Sequence, residues 1–290
     1  MYHYVRDAGR TLFPRIHARS PAELEAQLDV FERDYEPVRM ADVVAAYAGE
    51  RALPERAVVL SFDDGLADHR DTVLPALVRR RLSGVFAAPA ATTLQRRLAD
   101  VQKSQFVLAA AADHEALFAR VAAELKAPAA APEERFDAGA TAQLKELLQA
   151  GAPELARQRV LDELFDELVC ADARAFADEL YLSLDDLRAL RAEGMEIAGH
   201  GATHRRLGAL PEAEQRREIE ETVELLRLVH DGEPRRWTMC YPSGSYDATT
   251  LALVAEHGCA AGLTAEVGVA DERTPPLQLP RLDTNDLPLA

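Results

Sequence analysis

Cysteine is scarce: Cys170, Cys240 and Cys259 are the only three, far apart and odd in number. That count excludes a disulfide framework and lacks the spacing of a zinc knuckle. Positive charge is also in short supply, with 33 Lys and Arg against 49 Asp and Glu. The resulting formal charge of −16 repels a phosphate backbone, so no nucleic-acid partner is expected. No apolar run reaches the roughly 18 residues that a membrane span requires. The start, Met1-Tyr2-His3-Tyr4-Val5-Arg6, has no basic segment followed by an apolar one, and these absences together predict a cytoplasmic chain. A hydrophobic fraction of 48% excludes disordered and collagen-like classes, and 290 residues can bury a substantial core.

Strand-like runs alternate with amphipathic helical stretches, the rhythm of βα units around a parallel sheet or barrel. Ala57-Val58-Val59-Leu60-Ser61-Phe62 is nearly continuous in apolar residues and suits a strand buried on both faces. Further strands are expected at Tyr2–Val5, near Val38, and at Gly84–Ala87, Glu196–Ala198, Thr238–Tyr241, Ala260–Thr264 and Leu277–Leu279. Ser20-Pro21-Ala22-Glu23 predicts a capped helix start, as does Ser183-Leu184-Asp185-Asp186. Long helices are expected at Pro211–His230 and Ala248–His257. Between about residues 90 and 180 the rhythm breaks. Alanine, leucine and charge dominate there, predicting helices at Asp113–Lys126, Ala140–Ala150 and Pro153–Ala171 beside a proline-bearing linker at Ala127–Pro132. This helical insertion is either a packing elaboration or a lid or partner surface.

Chemistry-bearing residues follow three of the expected strands. Asp63-Asp64-Gly65 sets two adjacent carboxylates at a strand end, where one can ligate a cation while the other stays free as a base. His200-Gly201-Ala202-Thr203-His204 spaces two imidazoles so that both can reach one metal. Two histidines and a carboxylate leave an open position for water, the arrangement of catalytic zinc.

These residues resemble the polysaccharide deacetylase family, the NodB-homology or carbohydrate esterase family 4 hydrolases. Ser61-Phe62-Asp63-Asp64-Gly65 is similar to the first family motif and His200-Gly201-Ala202-Thr203-His204 to the second. Tyr241-Pro242-Ser243-Gly244-Ser245-Tyr246 is similar to the third. The resemblance implies an α/β fold, a distorted (β/α)7 barrel formed by one domain over 1–290 with the 90–180 insertion, and metal-dependent removal of acetyl groups from an N-acetylated saccharide. It makes Asp63 the catalytic base and gives a divalent metal, zinc by its ligand types, to Asp64, His200 and His204. Tyr241, Pro242, Ser243 and Gly244 would line the substrate and oxyanion groove, with the Ser243 N–H facing the oxyanion.

The chain also departs from the pattern. Cys240 stands where many members carry an arginine that tethers the base, and no histidine remains near the C-terminus to act as general acid. Arg281 and Asp283 are expected as substitute supports around the site. Tyr2-His3-Tyr4-Val5 resembles the first-strand motif of circularly permuted deacetylases, which makes His3 the expected acid, oriented by Asp283. His17, His69, His114, His230 and His257 are weaker candidates, since none lies in a matching motif at a strand end. The missing acid and tether leave a second reading open, a non-catalytic glycan-binding or regulatory protein that retains the barrel and the metal.

Overall fold

Helix starts follow the local signals. In the computed structural model, which describes residues 1–126 and 139–287, Ser20 and Glu23 form a reciprocal capping box ahead of the Pro21–Asp34 helix. Ser183 and Asp186 do the same for Leu184–Ala192. Each box satisfies two N–H groups that a helix end otherwise leaves unpaired. The long helices run Glu212–His230 and Ala248–Glu256, close to the expected bounds. The linker expected at Ala127–Pro132 lies outside the described residues.

The chain divides into two compact units. One comprises Met1–Asp7, Ala18–Arg96 and Asp178–Ala290. It contains a two-stranded pair, β1 (Glu36–Pro37) with β2 (Ala57–Val58), and one six-stranded sheet. That sheet runs in chain order through β3 (Ser61–Phe62), β4 (Val85–Ala88), β5 (Glu196–Gly199), β6 (Trp237–Cys240), β7 (Cys259–Val267) and β8 (Leu279–Arg281). Every pair is parallel. All six strands therefore deliver their carboxyl ends to one edge, where the expected functional residues lie.

Two expectations need correction. The run Ala57–Phe62 is not one strand: its first part pairs with β1 and its last part joins the main sheet, because two different neighbours compete for it. The barrel is a half-barrel, since the hydrogen-bonded ladder has six strands and the N-terminal segment contributes only isolated bridges at Tyr2 and Val5. Met1 and Tyr2 nevertheless touch both ends of the ladder. Tyr2 N–H donates to Ser61 O at 2.8 Å and Asp63 N–H donates to Tyr2 O at 2.9 Å. The Met1 nitrogen donates to Leu282 O just beyond β8.

Side chains alternate across the sheet with period two. Phe86 and Ala88 of β4 join the larger core beneath the helices, while Val85 and Ala87 face a smaller cluster with Met40, Val44, Ala198 and Ala261. Phe62 is fully buried in the larger core. Its ring stacks between Tyr2 at 5.1 Å and Phe86 at 4.8 Å.

The second unit comprises Ala8–His17 and Arg97–Ala177. Its helices His114–Leu125, Gly139–Gln149 and Glu154–Leu168 match the three expected ones closely, and a further helix, Asp100–Ala110, was not expected from the pattern. Phe106, Phe165 and Phe176 meet edge to face, with Phe13 joining from the short N-terminal segment, whose membership the pattern did not reveal. The Ala90–Leu94 helix, placed in the insertion on sequence grounds, belongs to the sheet unit instead. Its first N–H groups, on Ala90 and Ala91, donate to Gly201 O and Ala202 O, and that contact draws it to the sheet edge.

The stacked position of Phe62 predicts that Phe62→Ala costs about 3–5 kcal/mol, the usual range for emptying an aromatic core site. Val269→Ala, at an 84% exposed site, should change stability by less than about 0.5 kcal/mol. Urea unfolding midpoints of the two variants measure the difference.

Candidate active site

The strand-end loops carry unusual backbone. Asp64 has φ 76° and Gly65 φ 62°, so the chain turns sharply as it leaves β3. A Cβ on Gly65 would come within 2.7 Å of the Ala88 Cβ, which only glycine avoids. The turn is pinned from the other side by Leu182 N–H, which donates to Gly65 O at 2.8 Å.

This turn points two neighbouring carboxylates into different surroundings. Asp63 and Asp64 are both buried. Asp63 accepts from the Arg281 guanidinium through both oxygens, at 2.9 Å to Oδ1 and 2.8 Å to Oδ2. Burial is the largest single influence and works against its charge, but Arg281, with His200 adding to it, holds the Asp63 carboxyl well below the usual carboxylate range. Arg281 is itself anchored by donating Nε–H to Thr264 O at 2.7 Å. It thus supplies the tether that Cys240 cannot, as expected of it. Asp283 does not play its expected part: its Oδ1 accepts from the backbone and side chain of Asn285 and caps the turn at Thr284–Asp286.

Asp64 faces the two histidines. Its Oδ1 lies 3.3 Å from His200 Nε2 and 3.2 Å from His204 Nε2. His200 Nδ1 lies 2.7 Å from Cys240 O. A carbonyl only accepts, so the proton sits on Nδ1 and the Nε2 lone pair faces Asp64. Asp64 Oδ1 is buried and has no hydrogen-bond partner. Ligand atoms of Asp64, His200 and His204 all fall within 4.8 Å of one another. One oxygen and two imidazole nitrogens so disposed fit a divalent cation: the orphaned oxygen and the committed Nδ1 are what a ligand set requires. Burial opposes a proton on His200, yet the Asp64 and Asp63 carboxylates raise its pKa, and the same negative charge favours a cation.

The histidine loop is held by a residue the sequence reading missed. Glu218, buried on the Glu212–His230 helix, accepts from Ala202 N–H at 2.8 Å, from Thr203 N–H at 2.9 Å and from the Thr203 hydroxyl. These bonds fix a loop in which Gly201 (φ 67°) and His204 (φ 59°) are both left-handed. Nothing in the spacing separates Glu218 from the other acids of that helix.

The third loop follows β6. Tyr241 N–H donates to Leu263 O, Gly244 N–H to Tyr241 O and Ser245 N–H to Pro242 O, while Pro242 has no N–H. The Ser243 N–H, on a left-handed residue with φ 53°, is the one these bonds leave over. The Tyr241 ring is buried, and its hydroxyl donates to Leu277 O at 2.9 Å.

His3 is half-buried and sits beside this constellation. Tyr2 pairs in parallel with Phe62 through an isolated bridge, so His3 follows that bridge on one side as Asp63 follows it on the other. His3 lies within electrostatic range of both Asp63 and Asp64. Among the weaker histidine candidates, His69 is fully buried with Nε2 3.0 Å from His3 O. His114 bridges Thr141 and Leu108 O inside the helical unit.

Fold and site together define an α/β half-barrel with a buried Asp-His-His cluster at the carboxyl edge of its sheet. The family model for polysaccharide deacetylase matches residues 170–262. A 56-residue stretch is 41% identical to the poly-beta-1,6-N-acetyl-D-glucosamine N-deacetylase of Escherichia coli (strain K12), covering 19% of this chain and 8% of that protein's length. The Streptococcus pyogenes deacetylase PplD, solved with acetate, shares the fold at a TM-score of 0.60 and 16% identity, over 97% of this chain and 89% of that one. The de-N-acetylase from Aggregatibacter actinomycetemcomitans does so at 0.57 and 17%, over 98% and 93%.

The ligand geometry predicts that the His200→Ala, His204→Ala double variant loses bound divalent metal while remaining folded, because one carboxylate alone is a weak site. Metal analysis after dialysis, read beside circular dichroism, checks this. Full stoichiometric metal in the double variant would refute the assignment.

Proposed function

We propose that the chain is a metal-dependent hydrolase that removes N-acetyl groups from an N-acetylated sugar in a glycan or glycan precursor. The observation that carries this reading is the convergence of Asp63 and the Asp64, His200, His204 cluster at one strand edge, with the two carboxylates given opposite tasks. The poly-N-acetylglucosamine activity named for the Escherichia coli relative makes N-acetylglucosamine units the first substrates to try. The cation is assigned as zinc from its ligands, two imidazoles and one carboxylate. Bound by Asp64, His200 and His204, it would polarise the acetyl carbonyl and acidify a water.

The chain's own groups supply the rest. Asp63 is the base: Arg281 keeps it ionised, so its carboxylate stays free to accept a proton from the attacking water. The Ser243 N–H is the oxyanion donor, rigidly presented because the neighbouring N–H groups are already spent. His3, one residue beyond the Tyr2–Phe62 bridge, donates a proton to the departing sugar nitrogen. The Arg281 tether also removes one of the two grounds for a non-catalytic reading.

Metal-replete protein should release acetate from N-acetylglucosamine oligomers, and Asp63→Asn should lower that rate by about 100-fold or more. Absence of acetate from every acetamido sugar tried would overturn the reading. A second expectation concerns pH. Removing the guanidinium in Arg281→Gln leaves burial as the dominant influence on Asp63, which raises its pKa. Because Asp63 works deprotonated, the acidic limb of the kcat/KM profile should move to higher pH. An unmoved limb with reduced rate throughout would show that Arg281 acts on structure alone.

A further inference from the structure

The segment that carries His3 has little sheet to hold it. Among the described residues it meets the main sheet through the Tyr2 bridge alone, and beyond that its backbone pairs with Arg19 instead of the ladder. Two side chains from the start of the helix after Asp63-Asp64 also hold it there. His69 Nε2 lies 3.0 Å from His3 O. Since the carbonyl only accepts, His69 must hold its proton on Nε2 and donate it. Asp68 accepts Val5 N–H at 3.0 Å and pairs with Arg6 through both oxygens, at 2.8 and 2.7 Å.

His69 is an expensive choice for a merely structural site. It is wholly buried, its ring meets Phe62 and Phe86 edge to face at 5.7 Å each, and its Nδ1 has no hydrogen-bond partner. A phenylalanine would pack there without stranding a nitrogen. What phenylalanine lacks is the proton that His69 gives to the His3 backbone.

We propose that His69, assisted by Asp68, is a positioning residue that fixes the His3 backbone so that the His3 imidazole meets the leaving nitrogen of the substrate. This rests on the reading of His3 as the proton donor. The strand-end turn and the helix that follows it therefore carry the base, a metal ligand and the clamp for the acid, which locks the spacing between the groups on either side of the acetyl carbon. Geometry of this kind matters because a displacement of about 1 Å in a catalytic group can cost roughly 100-fold in rate.

The test uses two acetyl substrates on the full chain. Deacetylation of an acetamido sugar needs its leaving nitrogen protonated, whereas 4-nitrophenyl acetate releases a stable anion and needs no acid. His69→Phe, which fills the aromatic site but donates nothing, should lower kcat on the amide by about 10- to 100-fold with KM changed less than about 2-fold. Its ester rate and metal content should stay within about 2-fold of the parent. His69→Gln, which can place an amide N–H near the lost Nε2, should restore most of the amide rate. Should His69→Phe not fold, Asp68→Ala, which frees Val5 N–H and Arg6, is expected to give the same split between substrates. Equal loss on both substrates, or no loss on the amide, would overturn the proposal. His3→Ala separates this from the reading beneath it. If His3→Ala shows no difference between amide and ester, the proton-donor reading itself fails; if His3→Ala shows it and His69→Phe does not, only the positioning role fails.

Discussion

Two consecutive carboxylates are taken out of water at the end of β3, and the rest of the site is organised by that cost. Burying a single carboxylate costs several kcal/mol unless it gains partners of matching charge and geometry. Asp63 and Asp64 divide the available partners between them. Asp63 takes a guanidinium through both oxygens, while Asp64 turns toward two imidazole nitrogens. One residue is thereby kept ionised and its neighbour is left with an oxygen aimed at a common point with His200 and His204. The division of chemical labour is a consequence of solvation.

Such an arrangement needs backbone that regular strands cannot supply. Asp64, His204 and Ser243, one in each strand-end loop, all adopt left-handed backbone, which costs a non-glycine residue of order 1 kcal/mol. Each loop is held by its own support. The first is held by the close approach of Gly65 to Ala88, the second by Glu218 and the Ala90–Leu94 helix, and the third by the Tyr241 contacts with Leu263 and Leu277. Rigid strands beneath, packed around the Tyr2, Phe62 and Phe86 stack, let these strained loops persist.

The half-barrel places both ends of its ladder within reach of the first two residues. Met1 bonds beyond β8 and Tyr2 bonds beside β3, so the segment carrying His3 passes next to both Asp63 and its partner Arg281. The proposed acid and base therefore come from neighbouring backbone, and the guanidinium that tunes the base comes from the opposite edge of the sheet.

Some of this is written locally in the sequence. The capping boxes at Ser20 and Ser183 involve groups three residues apart, and the local pattern located three of the long helices of the second unit. The strand-end positions of Asp63, Asp64, His200 and His204 were legible because apolar runs ending in those residues can be read without knowing their neighbours. Tertiary structure decided the remainder. Arg281 finds Asp63 across 218 residues, while Asp283, two positions along, is claimed by its own turn. Glu218 reaches the histidine loop from a helix whose other acids look the same in sequence, and Ala57–Phe62 divides between two sheets. Capping and periodicity are settled by contacts a few residues long. A buried charge instead takes its partner from whatever the packed chain brings within 3 Å, and no spacing along the sequence encodes that choice.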